Sequence, residues 1–356
     1  MSDEHGSFLY SQKNFPIFQN LLFDSEREAK ACPTGDIRLL EDSKTGLVYN
    51  AAFDPQRMDY DGGYQNEQAH SPMFQDHLEE VSDIIRRTLG KTNLVEVGCG
   101  KGYFLEMLSK NGFSITGFDP AYEGDNPCIK KQYFQHDTGM RADGLILRHV
   151  LEHIKSPYDF LTKIRDVNSG TGMIYIEVPC FDWICRKRAW FDIFYEHVNY
   201  FRLSDFHRMF ANVIASGNFF GGQYLYVVAD IRSLKEPVID ENDRVKFPVD
   251  FSSEESDLAT SVVMESGAVI WGGASKGVVF SLMLERIGRE LTMVVDINPA
   301  KQGRYLPLTG VRVSSPEEVM EKLPHGSTIY VMNSNYLEEI RVMTDNQYKY
   351  VGVDNV

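Results

Sequence analysis

The chain has little of what several large classes of protein require. Basic runs are missing: 36 Lys and Arg stand against 51 Asp and Glu, a formal net charge of −15. A surface that grips nucleic-acid phosphates has to be basic, so no nucleic-acid partner is expected. Cysteine is sparse and scattered, and the five (Cys32, Cys99, Cys128, Cys180, Cys185) include no CxxC pair. That spacing suits reduced thiols rather than a disulfide framework or a closed zinc site. No apolar run is long enough to cross a bilayer, and the opening MSDEHGSFLYSQ has neither the basic nor the apolar region of a signal peptide. The expectation is a soluble cytoplasmic protein with no membrane partner. Low-complexity segments and short-period repeats are absent as well.

What remains is an ordinary globular composition, 43 % hydrophobic over 356 residues, which at roughly 100–200 residues per domain allows two or three domains. Residues 1–75 are polar and irregular, with signals for short strands and loops. From Met73, MFQDHLEEVSDIIRRTL repeats apolar residues at helical spacing and stops at Gly90. Strand and helix patterns then alternate: strand 94–98, helix 102–110, strand 114–119, a weaker strand near 132–136, strand 143–147, helix 149–166 and strand 173–178. After a charged, Pro-containing linker at about 232–255 a second alternation begins, with helix 253–265, strand 268–272, a helix from about Ser275, and strands 292–296, 311–313, 328–332 and 348–354. Short apolar runs separated by helix-length segments predict parallel sheets. The fold class is α/β: a small N-terminal segment (1–75), a Rossmann-like domain (76–231) and a second, C-terminal Rossmann-like domain (232–356).

The first strand-to-helix turn reads Glu96-Val-Gly98-Cys99-Gly100-Lys-Gly102, and Asp119 follows 21 residues after Gly98, ahead of Pro120. A dinucleotide loop spaces its glycines as GxGxxG. Here the spacing is GxGxG, and a carboxylate at the mouth of the loop gives a phosphate ligand nothing. It suits a ligand with a cationic amino-acid end. S-adenosylmethionine (SAM) carries an ammonium and a sulfonium and no phosphate, glycines let the backbone approach it, and Asp119 can accept both ribose hydroxyls. The plainer alternative is a tight turn with no ligand. Asp137, in QHDT, could meet the adenine amino group or cap a turn.

These residues look like motifs I and II of class I SAM-dependent methyltransferases, and RHVLEHI (148–154) resembles the segment after the fourth strand of that superfamily. Seven segments in order, YQNEQAHSPMFQDHL, RHVLEHI, EVPCFDW, FYEHVNYF, VIWGGASKG, VVDINPAKQGRYLP and NSNYLEEI, together resemble the three-part sugar C-methyltransferase family, which acts on nucleotide-linked keto-sugars. The resemblance implies an N-terminal zinc-binding module, a SAM domain and a C-terminal Rossmann-like domain that helps hold the substrate. It also implies that His149 lies beside the methionine end of SAM. The family's two CxxC pairs are missing here, so no metal is expected. The family's Tyr-His-Glu-His becomes Phe194-Tyr195-Glu196-His197.

Forming a carbon–methyl bond needs a base to take a proton beside a carbonyl and donors for the resulting enolate. An imidazole titrates near neutrality, so His197 is the candidate base, with Glu196 or Tyr195 as its neighbour. A structural histidine anchoring a loop is the alternative. His149, at the end of a strand, is a further candidate, while Glu152 and His153 read as the polar face of a helix. Tyr60, Tyr64, Asn66, Glu67 and His70 form a polar cluster that either closes over SAM or substrate or is a solvated linker. Glu177 and Tyr200, within the matching segments, join Tyr64, Asn66, His70, Ser275 and Lys276 as acceptor-site candidates. WGGASKGVV lacks GxGxxG, yet Lys276 at a helix start suits an anion, and Asp296 sits where a ribose-binding acid would. The expected activity is C-methylation of a nucleotide-activated keto-sugar or a similar small molecule. An O- or N-methyltransferase, a nicotinamide-dependent oxidoreductase using the second glycine turn, and a non-catalytic binding module are the alternatives.

Overall fold

Alternating apolar residues in GSFLYSQKNFP and TGDIRLLED make each a strand with one buried face, and the two pair antiparallel as β1 (Gly6–Pro16) and β2 (Thr34–Asp42). The computed structural model describes residues 6–58, 69–135, 138–251, 268–289 and 291–355. With β3 (Val48–Asn50) these strands form an N-terminal sheet, more regular than the irregular segment the composition suggested. Tyr10, Phe15, Ile37, Leu39 and Val48 are buried in one cluster. Apolar packing organises this part of the chain, and Cys32 is a free thiol.

The central sheet contains β4 (Leu94–Val97), β5 (Ile115–Phe118), β6 (Ile129–Lys130), β7 (Gly144–Arg148) and β8 (Met173–Pro179), all parallel to their neighbours among these five. Next in the chain, β9 (Asn199–Tyr200) leaves this sheet and pairs with β3. The chain then returns as an antiparallel hairpin, β10 (Val213–Phe219) and β11 (Tyr224–Asp230), whose second strand runs antiparallel to β8. The order is β10-β11-β8-β7-β4-β5-β6.

Two elements differ from the spacing-based reading. The third parallel strand forms at Ile129–Lys130 rather than near 132–136, because Ile129 packs over Gly117, where no side chain intervenes. The helix expected over 149–166 is split into a short turn, Leu151–His153, and a helix, Pro157–Val167. Pro157 has no N–H to give and its ring forces Ser156 out of the helical region, so the helix can only begin there. The split frees His149, Glu152 and His153 from a regular helix face.

The C-terminal sheet holds β12 (Ala268–Trp271), β13 (Leu291–Val295), β14 (Val313–Ser314), β15 (Thr328–Val331) and β16 (Lys349–Gly352), all parallel, in the order β14-β13-β12-β15-β16. Both larger sheets are therefore α/β layers of Rossmann type, the C-terminal one wholly parallel and the central one parallel over five strands with an antiparallel hairpin at one edge. The helix after β12, Lys276–Arg286, is buried from Lys276 through Leu284. A helix apolar on all sides must be covered on all sides, and Trp190 from the preceding part of the chain stacks on its Phe280 at 5.4 Å. The helix expected at 253–265 lies outside the described residues. Among the described residues no helix is long and apolar enough to cross a membrane.

Glu177, fully buried on β8, organises the central sheet. It accepts from Arg148 Nε (2.8 Å) and the Tyr175 hydroxyl (3.1 Å), and His77 and His149 ring nitrogens lie at 3.1 and 3.0 Å. Burial opposes its charge, but Arg148 and the two histidines hold the carboxyl well below the ordinary carboxylate range. Glu177→Ala strands a buried guanidinium, and removing one partner of a buried pair costs about 3–5 kcal/mol. A denaturant titration should show a loss of that order; a shift under about 1 kcal/mol would mean that the remaining partners compensate.

Candidate functional site

An open parallel sheet binds ligands where its strand order reverses, beyond the carboxyl ends of the strands. In the central sheet that point lies between β4 and β7, flanked by the Gly98–Gly102 loop and by His149. In the C-terminal sheet it lies between β12 and β15, flanked by Gly272–Lys276 and by Met332–Asn333. One cavity of about 200 Å³ is lined from both sides: His149, Glu152, His153 and Pro179 end or follow strands of the first sheet, and Trp271, Gly272, Ser275, Lys276, Asp296, Asn298, Met332 and Asn333 end or follow strands of the second. Asn20, His70, Ser71, Asp192, Phe194, His197, Gln223 and Tyr224 complete its walls.

The first glycine loop lies beside this cavity rather than in its wall. Gly98 has φ 76°, and an added Cβ would come within 2.5 Å of Val150 Cγ2, so only glycine fits there. Gly100 faces open space, with nothing within 4 Å of an added Cβ. Asp119 accepts from Gly100 N and Ala121 N, each at 2.8 Å, and so shapes the loop itself. Cys99 is buried against the loop, while Pro120 is exposed. Glu96 is buried, and its Oε2 has no hydrogen-bond partner among the described residues. Burial pushes its carboxyl up to about 7, against the pull of Arg148 and with the help of the Asp119 and Glu177 charges. An orphaned buried carboxylate beside an open glycine cradle fits a ligand with an ammonium group.

Within the cavity three side chains converge. Ligand atoms of Glu152, His153 and His197 lie within 4.8 Å of one another, a spacing that could also hold a cation. The His153 and His197 rings meet edge to face at 5.0 Å. His153 Nδ1 lies 3.0 Å from the Glu196 carbonyl oxygen. A carbonyl only accepts, so Nδ1 carries the proton. Burial, then the charges of His153 and His149, holds His197 well below the usual histidine range, and its imidazole is neutral at pH 7. His149 is the opposite case. Burial disfavours its charge, but Glu152 and Glu177 lift it to about 9. It also has a strained φ of 51°. An imidazolium donates and carries charge, so His149 is no base at neutral pH.

The other candidates divide clearly. Tyr195 is turned toward the N-terminal sheet, where its hydroxyl accepts from Asp54 N at 3.0 Å. Glu196 Oε1 accepts from Gln19 N at 3.0 Å and Asn20 Nδ2 at 3.5 Å. Tyr200 closes its own loop, its hydroxyl 2.9 Å from both Phe194 N and Phe194 O. These three, with Glu177, do not line the cavity, whereas His70, Ser275, Lys276, His149 and His197 do. Tyr64, Asn66 and Asp137, with Tyr60 and Glu67, lie outside the described residues. Asp296 is engaged by its own surroundings, accepting from Gly273 N (2.9 Å), Asn298 N (2.8 Å) and Lys301 Nζ (3.2 Å). Its oxygens are therefore committed to the loop rather than open to a ribose.

Sequence reasoning missed Asp192, Asn298 and the inward role of His153. One signal was available for Asp192: Lys276 opens an apolar helix, and a lysine buried there needs a carboxylate. The rest depend on side chains from distant strands meeting.

Residues 66–213 match the family model of a methyltransferase domain, and residues 257–352 match that of the C-methyltransferase C-terminal domain. The chain is a SAM-dependent methyltransferase with a C-methyltransferase C-terminal domain. No curated protein matches the chain. Among solved structures, a Burkholderia thailandensis 1,6-didemethyltoxoflavin-N1-methyltransferase is 15% identical over 45% of this chain and 80% of its own, with a TM-score of 0.33. The plantazolicin methyltransferase BpumL is 15% identical over 46% and 86%, with a TM-score of 0.35. A SAM-dependent methyltransferase from Archaeoglobus fulgidus is 16% identical over 45% and 100%, with a TM-score of 0.31. Likenesses this slight carry no argument; the two domain matches do.

Two of the cavity histidines of this methyltransferase, His149 and His197, should titrate far apart. His149, with its raised value, contributes stability that is full below about 6.5 and is lost as pH rises through about 9. His197, with its lowered value, withholds stability as pH falls below the ordinary histidine range. Histidine-selective NMR across pH 5–10 tests the pair: one resonance should move near 9 and vanish in His149→Gln. His149 and His197, assigned by their Gln variants, titrating together near 6.5 would contradict the arrangement.

Proposed function

We propose that this methyltransferase forms a C–methyl bond on a nucleotide-activated keto-sugar, with the sugar enclosed between the central and C-terminal sheets. One observation carries the reading. Asp192 Oδ2, Lys276 Nζ, Asn298 Nδ2 and both Glu152 carboxylate oxygens are buried and make no hydrogen bond among the described residues, although Asp192 and Lys276 form an ion pair at 3.3 Å and Glu152 Oε1 lies 3.4 Å from His149 Nδ1; all four residues line the cavity. Buried polar groups with unused hydrogen-bonding capacity are stabilised when a guest supplies the missing partner. Two donors and two acceptors together ask for a guest that both accepts and donates, as a polyhydroxylated ring does. Trp271, Tyr224 and Phe194 supply apolar walls.

In this reading Glu96, the Gly98–Gly102 loop and Asp119 would hold SAM, and the His149 imidazolium would offer it a cationic partner. SAM, when bound, supplies the methyl group. The chain's own work is to exclude water, orient the acceptor and remove a proton. Neutral His197 takes the proton from the carbon beside the carbonyl. Glu196 acts at one remove: its carbonyl sets the His153 tautomer, and its carboxylate seats Gln19 and Asn20. Tyr195, packed away from the cavity, has a structural part.

Asp119→Ala removes two loop hydrogen bonds and the ribose acceptor. At about 1.5–3 kcal/mol for a hydrogen bond to a charged group, calorimetry should show SAM binding weakened at least ~10-fold. Unchanged affinity would put SAM elsewhere.

His197→Gln should lower methylation by about 10²–10⁴-fold while leaving SAM affinity nearly intact. Product NMR of the methylated acceptor decides the bond formed. Methyl on oxygen, with no exchange of the α-hydrogen for deuterium, would favour the O-methyl alternative.

A further inference from the structure

We propose that Lys276, supplied by the C-terminal domain, is a catalytic residue of this methyltransferase: its ammonium hydrogen-bonds the acceptor's carbonyl oxygen and stabilises the enolate that His197 generates. The inference rests on the keto-sugar reading and assigns the electrophile that it lacks. Lys276 opens the helix after β12, and its side chain is 9% exposed. It lies 3.3 Å from Asp192 Oδ2 on the loop preceding His197. The contact is close enough for an ion pair but off the line of a hydrogen bond, and neither atom has another hydrogen-bond partner among the described residues. Nζ also sits over the Trp183 ring at 4.8 Å from its centroid. The ammonium is thus held in place by charge and by an aromatic face, with N–H groups left for a guest in the cavity it lines.

Three other cavity donors are less suited. Lys301 is bound to Asp296, Asn298 is neutral, and the His149 imidazolium is engaged by Glu177 and Glu152. A neutral His197 with a lowered affinity for protons is a weak base, and a weak base needs a strongly stabilised oxyanion. The strained Ser275, at φ 44° and ψ −101°, directly precedes Lys276. Gln19 and Asn20 hold it through Ser275 N to Gln19 O (2.9 Å) and Ser275 Oγ to Asn20 Oδ1 (2.7 Å). Strain of this kind persists only where surrounding structure imposes it, and it gathers at functional positions.

The step balances within the cavity. A His197 ring nitrogen takes the α-proton and becomes imidazolium. The C–H electron pair becomes the C=C bond, and the carbonyl π pair moves onto oxygen, where Lys276 N–H donates to it. Reversal in D₂O returns deuterium to the carbon, so exchange reads the step without methyl transfer.

The test is α-hydrogen exchange in D₂O, with S-adenosylhomocysteine present, on thymidine- and uridine-diphosphate 4-keto-6-deoxyhexoses. Lys276→Gln should slow exchange about 100-fold or more, the typical loss for one oxyanion donor, with SAM affinity by calorimetry unchanged. Should stranded Asp192 unfold that variant, Asp192→Asn/Lys276→Gln, neutral at both positions, gives the same reading. A folded variant that exchanges at the wild-type rate overturns the role of Lys276 and leaves the keto-sugar reading standing. Wild-type enzyme that exchanges none of these sugars overturns the keto-sugar reading and this inference with it.

Discussion

The buried carboxyl side chain and the carbonyl of one residue, Glu196, tie together three parts of the chain at the wall of the cavity. The side chain receives Gln19 and Asn20 from the N-terminal segment. Those two residues in turn hold Ser275 at the start of the C-terminal domain's glycine turn. The backbone carbonyl of the same residue fixes His153 in the cavity. A carboxyl group buried to 1% exposure must be met by hydrogen-bonding partners, and meeting it helps to set the positions of three segments. The cavity exists where those segments converge.

Charge is distributed unevenly around that cavity, and the unevenness is chemically useful. Glu177 and Glu152 keep His149 protonated, while burial and neighbouring histidine charge keep His197 neutral. Two imidazoles in one site thereby take different jobs, a fixed cation and a proton acceptor. Pushing titratable groups apart in this way is how one site runs acid and base chemistry at a single pH. The Asp192–Lys276 and Asp296–Lys301 pairs follow a second rule: each buried cation has its own carboxylate, so the cavity carries no large net positive field for a free diphosphate. A nucleotide-linked sugar would place its ring, not its phosphates, between the two sheets.

The C-terminal domain is more than a degenerate companion. Its sheet reverses order as the central sheet does, and its reversal point faces the same cavity. The buried helix Lys276–Arg286, packed by Trp190 on Phe280, makes the contact between the halves part of a hydrophobic core. Such an interface resists relative motion more than a polar one does.

Much of this was legible in the residues. Period and spacing located most of the parallel strands, because a strand buried on both faces reads as an unbroken apolar run. The ExGxGxG turn and Asp119 identified SAM, because a close backbone approach and a carboxylate at the loop are local properties of consecutive residues. Pro157 held the information that ended the expected long helix, though periodicity concealed it. Only the tertiary structure separated His197 from Glu196 and Tyr195. Three consecutive residues must point to different sides, and which side meets the cavity is decided by packing against Gly35, Gln19 and Phe194. Only the structure, too, brought Lys276 to Asp192, since an ion pair between residues 84 positions apart depends on two domains closing on each other. Local chemistry was determined by the sequence itself. Which groups share a cavity, and which are charged there, came from burial, a property no single segment possesses.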